Sequence, residues 1–319
     1  MVALVVQHQA DKEKYHGVSP KNVTMFGGKG GVGKTTCATA AALHYASLGE
    51  ETIVISTDFT PSLRDIFELE SSMKPAKVAD RLYVAEIGYE EIKKLWDERF
   101  GTEVYEVFSA FVDIGYEEFV DFIATILPGI RDEFMIDYIR ELAESGSFER
   151  IVWDTAPAGQ TLGLLQMPSL INKHLNPAPR IYSALKTTRQ RRRSVLGIIK
   201  GWEELSSKDI EFLKSGVAFN LVTIAEGLSV RQLDSIITEF RRHSFNIEHI
   251  IVNQVVKEPD SDFLRSRASM QHGYLLEIEG SYGVTVTKLP LFPFEIKGVE
   301  KLREVERVLC NAGYQNSPH

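Results

Sequence analysis

A glycine-rich run close to residue 30 has the residue types and the spacing that bind the phosphates of a nucleotide. Gly28, Gly33, Lys34 and Thr35 fit the pattern G-x-x-x-x-G-K-T. Glycine lets backbone N–H groups surround phosphate oxygens, a lysine neutralises the β- and γ-phosphates, and a threonine hydroxyl suits Mg²⁺. We therefore predict a site for ATP and Mg²⁺. The nucleotide-binding residues predicted in this loop are Gly28, Gly30, Gly31, Val32, Gly33, Lys34, Thr35 and Thr36.

Two aspartates, Asp58 and Asp154, each follow a run of apolar or β-branched residues that predicts a buried strand. Carboxylates at the carboxyl edge of a parallel sheet face the ligand crevice. Asp154 ends its strand in the manner of a Walker B element, so we predict that it and Thr35 hold Mg²⁺, Asp154 through a water molecule. Asp58 is the candidate to accept a proton or a hydrogen bond from the attacking water.

The segments that must position these residues alternate between strands and helices. Predicted strands cover 23–26, 52–57, 82–87, 150–154, 217–223, 249–254 and 284–287, and predicted helices cover 35–48, 230–243 and 299–311. Such alternation with short loops predicts an α/β fold with a doubly wound, mostly parallel sheet. Together with the phosphate loop, it indicates a P-loop NTPase core with an inserted helical subdomain.

The helical insertion comes in two pieces of opposite charge. Residues 90–148 are acidic with an aromatic helical face, whereas 173–201 contain eight Lys or Arg side chains and no acid. The basic cluster at Arg189–Arg193 has few aromatic residues among its charges, which favours a solvated helix face or a partner for the acidic insertion over a nucleic-acid site. We expect no nucleic-acid partner. The predicted domains are an arm at 1–20, an ATPase core at 21–89, 149–172 and 216–319, and one helical subdomain at 90–148 and 173–215.

Composition limits the classes of function. The chain of 319 residues is 44% hydrophobic and 25% charged, as is usual for a globular protein, and its net charge of −8 argues against general nucleic-acid binding. Residues 1–7 lack the basic start and the cleavage site of a signal peptide, and we expect a cytoplasmic protein. Cys37 and Cys310 form no metal-binding pattern; Cys37 fits a small core residue.

A second lysine makes the phosphate loop more specific. Lys29 and Lys34 stand at its two ends, and 154–166 carries the Asp-Thr-Ala-Pro run followed by Gly159 and Thr161. From about 22 to 312 the chain resembles the arsenite-pump-type ATPases, and among them the guided-entry ATPases that target tail-anchored membrane proteins. The resemblance implies an ATP-hydrolysing homodimer in which Lys29 reaches the partner's nucleotide and Asp58 positions the attacking water.

The resemblance also implies roles for residues outside the phosphate loop. Ser62, Asp65, Pro157 and Gly159 match the family's two switch loops, with Gly159 as a hinge that responds to the γ-phosphate. Glu226 matches a glutamate that approaches the nucleotide across the dimer. The family's adenine-contacting elements match Asn253, Gln254, Pro290 and Phe292.

Three departures from the family pattern limit what can be transferred. Ser261 and Leu264 stand where the targeting ATPase has a C-x-x-C pair, so we expect no zinc at a dimer interface. The first switch loop has Phe59-Thr60-Pro61 in place of proline, alanine and histidine. Arg231 and Gln232 replace the tyrosine and glutamate that dock membrane receptors in the eukaryotic factor.

The function predicted is an ATP-driven carrier that shields the hydrophobic helix of a tail-anchored client and delivers it to a membrane. The sequence does not identify the membrane receptor. The predicted client-contacting residues are Phe108, Phe111, Phe119, Phe122, Ile126, Ile198, Ile199 and Trp202. The alternative for each of them is packing within its own subdomain. Two other functions stay open, an arsenite-efflux ATPase subunit and a nucleotide-dependent switch that organises a protein or DNA partner.

Overall fold

A computed structural model describes residues 22–57, 62–69, 75–87, 89–109, 114–120, 128–156, 158–175 and 189–314. The described residues form two compact units. The first draws on Met1–Ile87, Leu142–Leu162 and Lys214–His319, and the second on Gly88–Glu141 and Gly163–Leu213. The predicted arm at 1–20, together with Asp58, Pro157 and the Phe59–Pro61 segment, lies outside the described residues.

The first unit is built on an eight-stranded sheet. Its strands are β1 (Val23–Gly28), β2 (Thr52–Ser56), β3 (Ala76–Ala79), β4 (Leu82–Glu86), β5 (Arg150–Asp154), β6 (Val217–Ile224), β7 (Ile247–Val255) and β8 (Thr285–Pro290). They lie in the order β3-β4-β2-β5-β1-β6-β7-β8, and within the described sheet only the β3–β4 pairing is antiparallel. The predicted mostly parallel α/β fold is confirmed. Strand β3 was not predicted, since it is short and lies at the edge of the sheet.

Besides the helical residues 116–120, ten α-helices are described across the two units. They are α1 (Lys34–Ser47), α2 (Ser62–Phe67), α3 (Tyr89–Trp96), α4 (Thr102–Phe108), α5 (Pro128–Glu144), α6 (Ala158–Leu175), α7 (Arg189–Ser215), α8 (Gly227–Arg242), α9 (Asp262–Ser281) and α10 (Gly298–Asn311). A π-helical turn, Asp97–Gly101, joins α3 to α4. Among the described helices, none combines the length and the apolar character needed to cross a membrane.

Both faces of the sheet are covered, as β6 shows. Phe219 and Asn220 are neighbours in this strand and therefore point to opposite faces. Phe219 packs edge-on against Phe240 of α8, with 5.0 Å between ring centroids. Asn220 Nδ2 donates a hydrogen bond to the Tyr314 hydroxyl, just beyond α10, at 2.8 Å. Burial on both faces explains why the strands read as continuous apolar runs.

Helix α1 follows the phosphate loop and lies deep in the core. Its alanines and Cys37 are almost wholly buried, in one hydrophobic cluster with Leu302, Val305 and Leu309 of α10. Small side chains on α1 let the two helices approach closely, which explains the alanine-rich sequence. Burial, and secondly the charge of Asp154, raise the pKa of the Cys37 thiol far above its ordinary value, so it remains a neutral core residue.

The second unit is helical and has charged side chains in its interior. The Arg140 guanidinium, 4% exposed, donates from Nε to Asp209 Oδ1 at 2.6 Å and also bonds Asp137. Arg99 pairs with Asp137 at 2.7 Å. Both aspartates are fully buried, and burial raises the pKa of Asp209 to about 7 against the opposing effect of Arg140. Losing one partner of such a network leaves a buried charge uncompensated.

A buried histidine lies on strand β7 of the first unit. His249 is 4% exposed, its Nε2 bonds the Thr287 hydroxyl of β8, and its ring lies 5.1 Å from the Tyr314 ring. Burial lowers the pKa of His249 to about 4, with a weaker opposing effect from Glu248. The native structure therefore holds this imidazole neutral.

Replacing His249 with glutamine should flatten the acid side of the stability profile. The unfolded histidine titrates near pH 6.5, so between 6.5 and 4 the unfolded chain binds a proton that the folded chain does not. At pH 5 this costs the wild type about 2 kcal/mol relative to pH 7.5. Urea unfolding of wild type and His249→Gln at both pH values measures the difference. His272→Gln, exposed on α9, should behave as the wild type, and an equal loss in all three proteins would contradict the assignment.

Candidate nucleotide site

The phosphate loop connects β1 to α1 and is closely approached by two other strands. A Cβ added at Gly28 would lie 2.1 Å from the Val222 carbonyl oxygen of β6. A Cβ added at Gly33 would lie 2.3 Å from Asn253 Nδ2 of β7, and Gly33 has a φ of +90°. Only glycine fits at these two positions. Gly33 is also the N-cap of α1 and supplies no capping side chain, so the first N–H groups of the helix face the loop, as anion binding requires.

The side chain of one loop lysine lies against the backbone of the other. Lys34 is 7% exposed, and its Nζ donates to the Lys29 carbonyl oxygen at 3.3 Å. The ammonium group is thereby held over the loop, where it would neutralise the charge of a bound phosphate. Lys29 is half-buried at the other end of the loop. Its predicted role in a partner subunit's site stays a prediction.

Three oxygen-bearing side chains from three elements meet at the start of α1. Thr35 Oγ1 donates to Asp154 Oδ2 at 2.9 Å and lies 3.3 Å from Ser62 Oγ of α2. Asp154 is fully buried at the end of β5. A carboxylate and hydroxyls are the hard oxygen ligands that Mg²⁺ takes, so these residues fit the predicted metal. When bound, Mg²⁺ would neutralise charge on the β- and γ-phosphates.

The register of the sheet places Asp154 beside the loop. Asp154 pairs with Phe26 of β1 on one side and Ser56 of β2 on the other. The Thr155 hydroxyl donates to the Phe26 carbonyl at 2.7 Å, and Thr57 N donates to the Asp154 carbonyl at 3.0 Å. These bonds fix the carboxyl edge of β5 against β1 and β2. Thr155 was part of the matched motif, but its bracing of β1 was not predicted.

Helix α2 carries two of the predicted switch residues and is held by a carboxylate that the sequence analysis missed. Glu86, the last residue of β4, accepts from Leu63 N at 2.6 Å and from Arg64 Nε at 2.7 Å. Ser62 meets Thr35 as described, whereas Asp65 is exposed. The available signal for Glu86 was the one used for Asp58 and Asp154, a carboxylate that ends a parallel strand.

Three further predicted residues have a conformation or a contact within the chain that the sequence did not predict. Gly159 lies in the first turn of α6, so this conformation has helix where a hinge loop was predicted. Glu226 Oε1 accepts from Arg267 Nη2 at 2.6 Å within the same chain. Asn253, 7% exposed, uses its amide inside the protein, since Nδ2 donates to the Val32 carbonyl at 2.9 Å. The functional roles predicted for Gly159, Glu226 and Asn253 stay predictions.

The other predicted adenine-contacting residues share the edge formed by β7 and β8. Gln254 follows Asn253 and has a φ of +59°, and Pro290 pairs with Val255. Phe292 is half-buried and lies against Phe294, with 5.5 Å between ring centroids. A purine contact by these residues stays a prediction.

The predicted client-contacting residues that are described lie inside the helical unit. Phe119 is fully buried against the Tyr105 and Tyr116 rings, and Ile199 is 1% exposed. Ile198 and Trp202 are half-buried. Phe111, Phe122 and Ile126 lie outside the described residues, as does the side chain of Phe108. In this conformation, packing accounts for Phe119 and Ile199.

At the position where the targeting ATPases have their C-x-x-C pair, α9 begins with an ordinary cap. The Ser261 hydroxyl accepts a hydrogen bond from Leu264 N at 3.3 Å, which satisfies one of the orphan donors of the first helical turn. Within the described ranges, no three His, Cys, Asp or Glu side chains cluster as metal ligands would. The absence of zinc stays a prediction from the sequence.

Comparison with known proteins gives the family. The model of the anion-transporting ATPase family matches residues 21–311. The chain belongs to this family. The matched range includes the phosphate loop, Asp154 and Asn253, and the anion-transporting ATPase assignment confirms the predicted ATPase activity.

Individual proteins are similar to this chain over most of both lengths. "ATPase GET3A" of Arabidopsis thaliana is 30% identical over 297 residues, covering 87% of this chain and 80% of the relative. "ATPase ASNA1 homolog" of Dictyostelium discoideum is 30% identical, with 92% and 90% covered. "Putative arsenical pump-driving ATPase" of Prosthecochloris vibrioformis is 29% identical, with 88% and 73% covered. All three names describe an ATPase, and the third also describes the driving of an arsenical pump.

Substituting alanine at Gly33 should weaken nucleotide binding at least tenfold. The substitution strains a backbone with positive φ and pushes a Cβ into the Asn253 amide, so the phosphate loop must shift. Gly49→Ala is the matched control, because Gly49 has a φ of +93° with open space around it. The control should lose about 1 kcal/mol of stability and keep its ATP affinity. Calorimetric titration with Mg·ATP measures the ATP affinity of both variants, and urea unfolding measures the stability of the control. An ATP affinity of Gly33→Ala within twofold of wild type would contradict the geometry.

Proposed function

We propose that this ATPase works as a homodimer that shields the hydrophobic transmembrane helix of a tail-anchored client and delivers it to a membrane. The observation that carries the proposal is the extent of the family match. Residues 21–311 include the helical unit, Gly88–Glu141 and Gly163–Leu213, as well as the ATPase core. A similarity that served ATP hydrolysis alone would need only the core. The targeting role comes from the resemblance to the guided-entry ATPases, and the similar proteins include relatives named ATPase GET3A and ATPase GET3.

The nucleotide half of the cycle uses the residues at the carboxyl edge of the sheet. Lys34 and the N–H groups at the start of α1 bind the phosphates, and Thr35 and Asp154 hold Mg²⁺. Asp58 orients the attacking water, and Lys29 stabilises charge on the nucleotide of the opposite subunit. Each role is assigned from residue type and family resemblance, and the contact between Thr35 and Asp154 supports the metal site.

The client half of the cycle requires the helical unit to change its packing. Phe119 and Ile199 are interior in the present conformation, so they contact a client helix only after a rearrangement that exposes them. An amphipathic or apolar helix binds in a groove lined by such side chains. Binding of Mg·ATP to two subunits would supply the free energy of that rearrangement.

An arsenite-efflux ATPase subunit is the second candidate, because relatives at 28–29% identity carry arsenical-pump names. Trivalent arsenic prefers clustered thiolates. Cys37 is fully buried with a raised pKa, and Cys310 is half-buried with its pKa raised to about 11. Neither thiol is prepared to bind trivalent arsenic as a thiolate, so we favour the carrier.

Light scattering coupled to size exclusion tests the carrier with the Asp58→Asn variant, in which hydrolysis should be slow enough to trap bound ATP. With Mg·ATP we expect twice the mass of one 35.9 kDa chain, together with retention of a soluble protein ending in one hydrophobic helix. The matched control client carries two arginines in that helix and should not be retained. Wild-type protein without nucleotide provides the reference state.

Each other outcome assigns a different function. A dimer that retains neither client would favour the nucleotide-dependent switch. Stimulation of wild-type ATP hydrolysis by arsenite would favour the pump subunit. A monomer in every nucleotide state would overturn both the role of Lys29 across a dimer and the shared groove.

A further inference from the structure

Helix α9 contains a buried glutamine whose amide is fully used. In the described residues of this helix, only Gln271 and Ile278 are buried, and Gln271 is 1% exposed. Its Nε2 donates to the Gln254 carbonyl at 2.9 Å, and its Oε1 accepts from Val256 N at 2.9 Å. Burying an amide costs free energy unless both ends are hydrogen-bonded, and here both ends bind the main chain of one short segment.

The bonded segment is distorted. Gln254 has a φ of +59°, a left-handed conformation that is unfavourable for any residue with a side chain other than Asn or Asp. The pairing of β7 with β8 shifts register between Val252 and Val255 at the same point. Gln271 bonds the carbonyl of residue 254 and the N–H of residue 256, one on each side of Val255, and so holds the segment in its strained shape.

The distortion is transmitted to the phosphate loop through one side chain. Gln254 N donates to Asn253 Oδ1 at 2.9 Å, which orients the Asn253 amide. Asn253 Nδ2 then donates to the Val32 carbonyl, next to Gly33, at 2.9 Å. A continuous path of hydrogen bonds therefore runs from α9 through the end of β7 to the loop that binds phosphate.

We infer that Gln271 is a positioning residue for nucleotide binding, which holds Gln254 in the left-handed conformation so that Asn253 fixes the phosphate loop at Val32. The inference rests on the nucleotide site of the proposed function and is independent of the client or the dimer. It assigns to α9 a role in ATP affinity that neither the phosphate-loop motif nor the switch loops supply.

Gln271→Leu removes both hydrogen bonds at nearly constant volume. We expect the KM for ATP to rise about tenfold while kcat at saturating ATP stays within twofold. Bound phosphates themselves draw the loop into shape, so the lost positioning appears in binding. A residue that only stabilised the fold would change melting temperature without this split between KM and kcat.

A second substitution separates positioning from packing. Glycine adopts a φ near +60° without the steric cost of a side chain, so it does not need Gln271 to hold it there. Gln271→Leu/Gln254→Gly should therefore recover a KM within about threefold of the Gln254→Gly single variant. Lost packing around Gln271 would not be recovered by a change at residue 254.

Ile278→Val is the matched control, because Ile278 is the other buried residue of α9. It should lower the melting temperature and leave the KM for ATP unchanged. If Gln271→Leu does not fold, Gln271→Glu gives the same test, since it keeps an acceptor for Val256 N and loses the donor to Gln254. An unchanged KM in the Gln271 variant, a failure of glycine to restore it, or an equal rise in Ile278→Val would each overturn the inference. Loss of client binding alone would leave it intact.

Discussion

The phosphate loop is confined between two strands that it does not belong to, and much of the first unit follows from that confinement. The β6 carbonyl of Val222 and the β7 amide of Asn253 leave no room for a Cβ at Gly28 or Gly33. The loop can occupy this space only because β6 and β7 are held in register with β1 and with each other. Affinity for a polyanion is therefore a property of the sheet as well as of the loop sequence, since the sheet decides where the backbone N–H groups point.

The same arrangement decides where charge can be buried. Lys34 and Asp154 are almost completely buried beside a loop made for phosphate, where nucleotide and metal offer charges of opposite sign. In the helical unit, Arg140 and Arg99 meet Asp137 and Asp209 within the protein itself. In the first unit these buried charges thus lie where nucleotide and metal would bind, whereas in the second unit the described arginines and aspartates pair with one another.

Local sequence predicted the elements whose signals are local. β1, the glycine loop and α1 have a dense motif, and Asp154 follows three consecutive apolar residues of β5. Glu86 and Gln271 could not be ranked above other carboxylates and amides, because their importance arises from contacts with α2 and β7 that no spacing encodes. Helix α9 was missed because only two of its residues face the core, which gives no apolar periodicity. For Phe119 the pattern indicated a helix correctly but could not distinguish a groove from an interior.

The buried contact between the Tyr45 and Tyr314 hydroxyls joins residues that are 269 positions apart, and it has a consequence for synthesis on the ribosome. Strand β1 is translated early, yet its neighbours in the sheet begin at Arg150 and Val217, and α1 packs on α10. Non-local pairing of this kind is slow to form. A nascent chain that already displays the complete phosphate-loop motif therefore lacks the walls that shape it. The walls at Val222 and Asn253 exist only after β7 has been synthesised, and α1 gains its cover from α10 only when residues near 310 have emerged. Until then the apolar first strand must be protected from aggregation.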